Sequence, residues 1–185
     1  MQTPPRILII DDDPMIRLLV ATALQNAGLD TQEAANAEEG LQHFNETGAD
    51  AILLDVVMPN GMDGYACCKQ VRSLPKGQYV PVLMMTGLED LESINRAFEV
   101  GATDFITKPI NSPLLGHRVR YMLRASHTTH RLLESEKHLH RMAYIDSLTE
   151  LPNRLYFKEN LKRVVALAER QGRKLDLLRL CKSGG

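Results

Sequence analysis

The sequence predicts an α/β fold in which a doubly wound, five-stranded parallel sheet carries helices on both faces. Short apolar runs alternate with amphipathic helical patterns over the first 110 residues, as in consecutive right-handed βαβ units. Three of the runs end in a single polar residue that a turn signal follows. From Asn111 the alternation stops and a long helical pattern begins. The chain therefore combines an α/β domain with a helical C-terminal extension.

The predicted strands are short and mostly apolar, which suits a sheet buried on both faces. They cover Arg6–Ile10, Thr31–Ala34, Ala51–Leu54, Val80–Met85 and Asp104–Ile106, with the weakest pattern at Thr31–Ala34.

The helices between these strands carry recognisable start and stop signals. Asp13 can cap the first helix, and Pro14 occupies a position whose missing N–H needs no partner. Helical spacing predicts that one face of this helix covers the sheet, formed by Met15, Leu18, Leu19 and Ala23. The later helical runs are each followed by a glycine, as at Gly28, Gly48, Gly77 and Gly101.

Composition indicates one domain with an appendage or two small domains, since the chain has 185 residues of which 44% are hydrophobic. The sequence contains neither an apolar stretch long enough to cross a membrane nor a signal-peptide pattern. Its three cysteines have no metal-site spacing and no disulfide framework. We therefore expect a reduced, cytoplasmic protein without a membrane partner.

The net charge of −1 conceals two halves of opposite sign. Residues 1–110 carry 7 Lys and Arg against 16 Asp and Glu, a net charge of −9, and residues 111–185 carry 15 against 7, a net charge of +8. The acidic half suits a cation site. The basic half is either a partner or nucleic-acid surface or a solvated helical face.

Polar residues follow four of the predicted strands. Asp11 and Asp12 follow the first strand and Asp55 the third, while Thr86 and Lys108 follow the fourth and fifth. Because parallel strands end at one edge of a sheet, these side chains are expected to gather there. Carboxylates, a hydroxyl and a lysine suit a divalent metal ion and a phosphoryl group.

In order and spacing, these residues resemble the receiver domain of two-component response regulators. The resemblance rests on the segments Ile9–Pro14, Leu53–Asp55 with the following Met-Pro-x-Gly-x-x-Gly, Met84–Gly87 and Phe105–Pro109. It covers residues 1–125 and implies a flavodoxin-like receiver fold. It also implies that a sensor histidine kinase or a phosphotransfer protein donates a phosphoryl group to Asp55.

The same resemblance assigns roles around the acceptor. It implies Mg²⁺ held by Asp11, Asp12, Asp55 and the backbone carbonyl of Val57. Lys108 would bridge the phosphate to the carboxylates, and a cis peptide before Pro109 would aim it inward. Thr86 and Phe105 would form the conformational switch. Apolar Val57 and Leu88 flank the expected path of the attacking water, which predicts slow loss of the phosphoryl group.

A long helix is predicted from Ser112 to about Asp146, and residues 126–145 form a stem or linker within it. Its heptad-like seam consists of Met122, Ala125, Thr129, Leu132, Glu136, Leu139 and Ala143. Such a stem could form a phosphorylation-dependent homodimer. The alternative is a single amphipathic helix packed against its own chain.

Residues 143–154, Ala-Tyr-Ile-Asp-Ser-Leu-Thr-Glu-Leu-Pro-Asn-Arg, resemble the opening of the GGDEF domain of diguanylate cyclases. Residues 146–185 would then be a truncated N-terminal fragment of such a domain, an incomplete α/β unit. A helix with a buried face is expected there, formed by Leu155, Phe157, Leu161, Val164, Val165 and Ala168, with a strand at Leu175–Leu180. Glu150 replaces the usual glycine, and the metal-binding and signature motifs of the family are missing. We therefore expect no cyclase activity from this chain, although an intact relative would make a cyclic dinucleotide.

Three further functions stay open. The chain could be a fragment of an active diguanylate cyclase, or a stand-alone phosphate sink and dimerisation partner. It could also be a DNA-binding regulator that uses its basic tail. No helix-turn-helix pattern is visible, so nucleic acid is an unlikely partner.

Overall fold

The computed structural model describes residues 3–59, 61–87, 91–146, 149 and 151–171. Within these residues, strands and helices alternate before two consecutive helices end the described chain. Their order is β1 (Arg6–Ile10), α1 (Pro14–Asn26), β2 (Asp30–Ala34), α2 (Ala37–Thr47), β3 (Ala51–Asp55), α3 (Gly64–Ser73), β4 (Val82–Thr86), α4 (Leu91–Glu99), β5 (Asp104–Thr107), α5 (Ser112–Tyr144) and α6 (Arg154–Gln171).

All five strands are parallel and form one sheet in the order β2-β1-β3-β4-β5. The predicted doubly wound, five-stranded α/β sheet is confirmed, and each strand bound lies within two residues of its predicted position. The strand order reverses at β1, beside β3, which is where open sheets of this type bind ligands.

Alternate residues of the central strands enter two separate hydrophobic layers, because successive side chains of a strand point to opposite faces. One layer includes Leu8, Ile52 and Met84, and it packs against helices α2, α3 and α4. The other includes Ile9, Leu53 and Met85, and it packs against α1 and α5. Burial on both faces explains why these strands read as continuous apolar runs.

The predicted inner face of α1 is wrong for three of its four residues, while Ala23 packs against the core as predicted. Met15, Leu18 and Leu19 are exposed, while the buried residues are Val20, Ala21 and Leu24. Both sets have helical spacing, and α1 is apolar on more than one side. Periodicity alone therefore could not decide which side faces the sheet.

Contacts divide the chain into two compact units, Met1–His130 and Arg131–Gly185. Helix α5 confirms the long C-terminal helix, since it runs without interruption from Ser112 to Tyr144. The predicted seam of this helix needs one correction. Met122 is only 4% exposed and belongs to the core layer of the first unit with Leu115 and Val119, so it cannot be a seam residue.

In the second unit, the segment between α5 and α6 is held by its own polar groups. Asp146 Oδ1 accepts hydrogen bonds from the N–H and hydroxyl of Thr149. Asn153 Oδ1 caps α6 by accepting from the N–H groups of Leu155 and Tyr156, and its Nδ2 donates to the carbonyl of Ala143. Residues 147, 148 and 150 of the segment lie outside the described residues.

The predicted buried face of α6 is wrong for three of its residues. Leu155, Phe157 and Val165 are exposed, because the described residues place no apolar layer against them. Leu161 and Val164 are half-buried. The side chain of Ala168 and the predicted strand Leu175–Leu180 lie outside the described residues.

Among the described helices, none combines the length and the apolar character that a membrane span requires.

Candidate functional site

Three carboxylates meet at the carboxyl edge of the two central strands. Ile10 of β1 pairs with Leu54 of β3, so Asp11 and Asp55 occupy neighbouring positions where these strands end. Asp11, Asp12 and Asp55 each offer a carboxylate oxygen, and the three oxygens lie within 4.8 Å of one another. Asp11 and Asp55 are buried, whereas Asp12 is exposed.

Lys108 brings a positive charge to this cluster from the loop after β5. Its Nζ lies 2.9 Å from Asp11 Oδ2 and 2.8 Å from Asp55 Oδ1. The predicted cis peptide between Lys108 and Pro109 is present. The backbone N–H of Lys108 donates to the carbonyl of Thr86, which fixes the start of this loop to the end of β4.

Burial and the ion pairs change the protonation of the two central groups. Desolvation raises the pKa of Asp55, and this effect outweighs the opposing hydrogen bond from Lys108. Repulsion from the Asp11 carboxylate raises it further. Desolvation would lower the pKa of Lys108, but its hydrogen bonds to Asp55 and Asp11 reverse the sign and raise it. Both shifts favour the protonated form of each group relative to the same side chain in water.

The backbone of Asp55 is in close contact with the first residue of α3. A Cβ atom on Gly64 would stand 2.1 Å from the Asp55 carbonyl oxygen, closer than any side chain allows. The N–H of Gly64 donates to the carbonyl of Val56, and Asp63 caps α3 by accepting from the N–H of Ala66. The second glycine of Met-Pro-x-Gly-x-x-Gly therefore lets α3 begin directly against the strand that carries Asp55.

Helix α1 fixes the acidic pair through a residue that the sequence did not reveal. Arg17 Nη1 donates to the carbonyl of Asp11 at 2.8 Å and to that of Asp12 at 3.2 Å, and its Nε lies 3.4 Å from Glu33 Oε2. Asp13 caps α1 as predicted, by accepting from the N–H of Met15. The only sequence signal for Arg17 is a basic residue one turn into the helix that follows the acidic pair.

The two predicted switch residues lie on β4 and β5. Thr86 ends β4 and is buried, one position beyond Met85, which pairs with Asp55. Phe105 is half-buried on β5, and its ring meets Phe98 of α4 edge-on with 5.9 Å between centroids. Phe98 was not predicted, because contact between α4 and β5 is a property of the folded chain.

The residues predicted to slow phosphoryl loss are only partly described. Val57 is 61% exposed and stands two positions after Asp55. Leu88 lies outside the described residues, so the predicted slow loss stays a prediction. A Cβ on Gly87 would meet nothing within 4 Å, which leaves open space beside the end of β4.

The donor set fits Mg²⁺. Its atoms are carboxylate oxygens, which this ion prefers, and one carboxylate is exposed so that the ion could keep some of its water. Burial and the neighbouring Asp11 carboxylate raise the pKa of Asp55, and a divalent ion bound there would favour the ionised form.

Comparisons with known proteins agree on one family. The family model described as "Response regulator receiver domain" matches residues 7–120. Among solved structures, the chemotaxis response regulator CheY4 of Vibrio cholerae superposes with a TM-score of 0.62 at 32% identity. That match covers 65% of this chain and 99% of the other.

Curated relatives are longer than this chain. The DNA-binding dual master transcriptional regulator RpaA of Synechocystis is 38% identical over 134 residues, which are 72% of this chain and 54% of the relative. The probable transcriptional regulator ycf27 of Cyanidium caldarium is 31% identical over 172 residues, which are 93% of this chain and 67% of the relative. This chain thus spans about half to two thirds of the length of these relatives.

Proposed function

This chain belongs to the response regulator receiver family, and we propose that Asp55 is the residue on which its receiver domain accepts a phosphoryl group. The observation that carries the proposal is the position of Lys108, whose ammonium lies 2.9 Å from Asp11 and 2.8 Å from Asp55. One cation thus contacts both the proposed acceptor and a proposed metal ligand. The domain boundaries 1–125, 126–145 and 146–185 are part of the same proposal.

In the proposed reaction, an Asp55 carboxylate oxygen bonds to phosphorus. The bond between phosphorus and the imidazole nitrogen of a phosphohistidine donor breaks, and its electron pair leaves with that nitrogen. The donor belongs to a sensor histidine kinase or a phosphotransfer protein. Lys108 neutralises the phosphoryl oxygens as a compact charge. Mg²⁺, held by Asp11, Asp12, Asp55 and the carbonyl of Val57, would supply further charge neutralisation.

We infer that Thr86 and Phe105 transmit the change. Phosphorylation places new negative charge beside the end of β4, and the Thr86 hydroxyl could donate to it. Movement of Thr86 would leave space for Phe105 to turn inward, away from Phe98 of α4. A local charge event would thereby shift the population of two receiver conformations.

Labelling with acetyl phosphate in Mg²⁺ tests the acceptor. The native chain should gain one phosphoryl group by mass spectrometry, and Asp55→Asn should gain none because it lacks the nucleophilic oxygen. Asp13→Asn is the matched control, since asparagine can cap α1 equally well and the nearby charge change leaves the acceptor intact. Equal labelling of Asp55→Asn and the native chain would refute the assignment.

For the output, we propose that residues 146–185 are the start of a GGDEF domain joined to the receiver by a dimerising stem. The polar junction of Asp146, Thr149 and Asn153 supports this, since it gives the resembling segment a defined turn and a capped helix. Phosphorylation would then change how two stems pair.

A second candidate output is transcriptional control. It is favoured by two of the relatives, since one is a DNA-binding transcriptional regulator and the alignment to the other, ycf27, reaches beyond the receiver. Titration of duplex DNA with the full chain at 50 and 200 mM salt would distinguish transcriptional control from a GGDEF output. A nucleic-acid contact through basic residues weakens steeply with salt.

A further inference from the structure

Residues Arg131–Tyr144 of α5, within the second unit, present an uncovered apolar stripe. It consists of Leu132, Ser135, Leu139 and Met142, which follow one another at steps of three, four and three. Leu132 is 67% exposed, Leu139 63% and Met142 68%. We call these four residues the stem stripe. Large apolar side chains in a regular row on a helix are typical of a coiled-coil seam.

The stem stripe differs from the seam that the sequence predicted. That seam ran through Met122, Glu136 and Ala143, but the first of these is buried in the receiver core. The stripe keeps Leu132 and Leu139, has Ser135 in place of Glu136 between them, and has Met142 in place of Ala143 after them. Glu136 moves from the middle of the seam to its edge, so no charge is left in the contact.

Opposite charges lie on the two edges of the stripe. At about 100° per residue, Arg131 stands just outside one edge and Glu136 just outside the other. Among the described residues, neither takes part in an ion pair. The stripe is therefore complementary to a second copy of itself.

We propose that the stem stripe pairs two copies of this chain as a parallel, in-register coiled coil. Arg131 of each copy then faces Glu136 of the other. The proposal rests on the proposed dimerising stem and adds its orientation, its register and the residues that select them. In a parallel pair the Arg131 edge of one helix meets the Glu136 edge of the other, whereas an antiparallel pair brings like edges together.

The stem stripe is short, and this suits a regulated contact. It spans about two heptads and contains a serine, and coiled coils of this length are marginal without other contacts. Pairing should therefore be weak in the resting chain and stronger when the receivers also associate.

Disulfide trapping tests the register. Ser135→Cys is made in the full chain with Cys181→Ser, while the buried Cys67 and Cys68 are kept. In a parallel, in-register pair the two Cys side chains at position 135 face each other, so mild oxidation should give mostly covalent dimer. Arg141→Cys, on the opposite side of the helix, is the matched control and should give little. Equal trapping at both positions, or none at Ser135→Cys, would overturn the register.

Charge reversal tests the orientation. With Mg²⁺ and beryllofluoride present, Arg131→Glu or Glu136→Arg should each weaken the dimer about tenfold by sedimentation equilibrium, since both symmetric pairs become repulsive. The double reversal should return the dissociation constant to within about threefold of native, because it recreates opposite pairs. If the helices paired antiparallel, each single variant would instead have a dissociation constant close to that of the native chain.

The outcomes also distinguish a failure of the stem pairing from a failure of the proposed phosphorylation of Asp55. All of these variants lie in the second unit and should be labelled by acetyl phosphate as the native chain is. A chain that is phosphorylated yet monomeric and untrapped would refute the stem pairing and leave Asp55 as the acceptor. If labelling fails, trapping of the resting chain at high concentration still decides the register.

Discussion

At the scale of single residues, backbone contacts restrict Asp55, the proposed acceptor, as much as charges do. Gly64 is required by the position of Asp55, because no side chain fits between α3 and the end of β3. Lys108 is required for a different reason, since its ammonium forms the ion pairs with both buried carboxylates, whereas Arg17 contacts only the backbone carbonyl of Asp11. One constraint is steric and the other electrostatic, and both act within a few ångströms of the same carboxylate.

Gly64→Ala should destabilise the receiver by about 1–3 kcal/mol and reduce labelling of Asp55, because the added Cβ collides with backbone that cannot move aside. Urea unfolding and the acetyl phosphate assay measure the two effects. Gly87→Ala is the matched control, since its Cβ would enter open space near the same edge. A Gly64→Ala chain as stable as Gly87→Ala would contradict the steric argument.

At the scale of elements, Arg72 connects the end of α3 to two turns. Its Nε donates to the carbonyl of Gly101, and its Nη1 donates to the carbonyls of Gly77 and Val80. Desolvation lowers the pKa of this guanidinium, which indicates how far it is withdrawn from water. The α3–β4 and α4–β5 connections thus share one cation, at the edge of the sheet opposite the carboxylate cluster.

Arg72→Ala should lower the free energy of unfolding by about 1–3 kcal/mol, because it leaves three carbonyls without their donor. Arg72→Lys should recover only part of the loss, since an ammonium cannot reproduce the planar geometry of the guanidinium. Lys69→Ala, on the exposed side of the same helix, serves as the control in urea unfolding. Full recovery by Arg72→Lys would mean that charge alone matters there.

At the scale of the whole molecule, the buried carboxylate cluster is expected to reduce the stability of the fold. Its cluster places three carboxylates against one lysine inside a half of the chain that already has a net charge of −9. Ionised Asp55 costs free energy because burial removes water from it. Under the proposed function, binding of a cation and a phosphoryl group would be the reason that this charge imbalance is retained.

Without divalent cations, Asp55→Asn should therefore be more stable than the native chain at pH 7. The pKa of Asp55 is raised above its ordinary 3.8, so the unfolded chain ionises first as pH increases. The difference in the free energy of unfolding between Asp55→Asn and the native chain should be absent below pH 3.8. It should grow with pH until the pH exceeds the raised pKa of Asp55. Lys108 contributes to stability at alkaline pH instead. Because its pKa is raised above the ordinary 10.5, protonated Lys108 stabilises the folded chain fully below pH 10.5. That contribution is lost as pH rises through the raised pKa.

Urea unfolding in EDTA between pH 4 and pH 8 measures the difference between the two chains. Added Mg²⁺ should reduce this difference in stability, because the ion would stabilise only the native chain, which keeps all three carboxylates. An Asp55→Asn chain less stable than native at pH 7 in EDTA would show that the Lys108 ion pair outweighs the desolvation of Asp55.

Sequence determined the features that depend on local chemistry. Apolar runs, which are buried on both faces of the sheet, predicted the strands. Asp13 and Pro14 predicted the start of α1. The polar residues after the strands indicated that their side chains share one edge of the sheet. The acceptor edge could be predicted because parallel strands leave little freedom in where they end.

Only the tertiary structure decided which of several equivalent faces is buried. Met15 and Val20 lie on competing apolar sides of α1, and Met122 belongs to the core although its spacing suits a stem seam. Arg17, Phe98 and Arg72 act through contacts with other elements that no local pattern encodes. Periodicity fixes which residues share a face, but packing against distant segments selects the face, and that selection is a property of the folded chain.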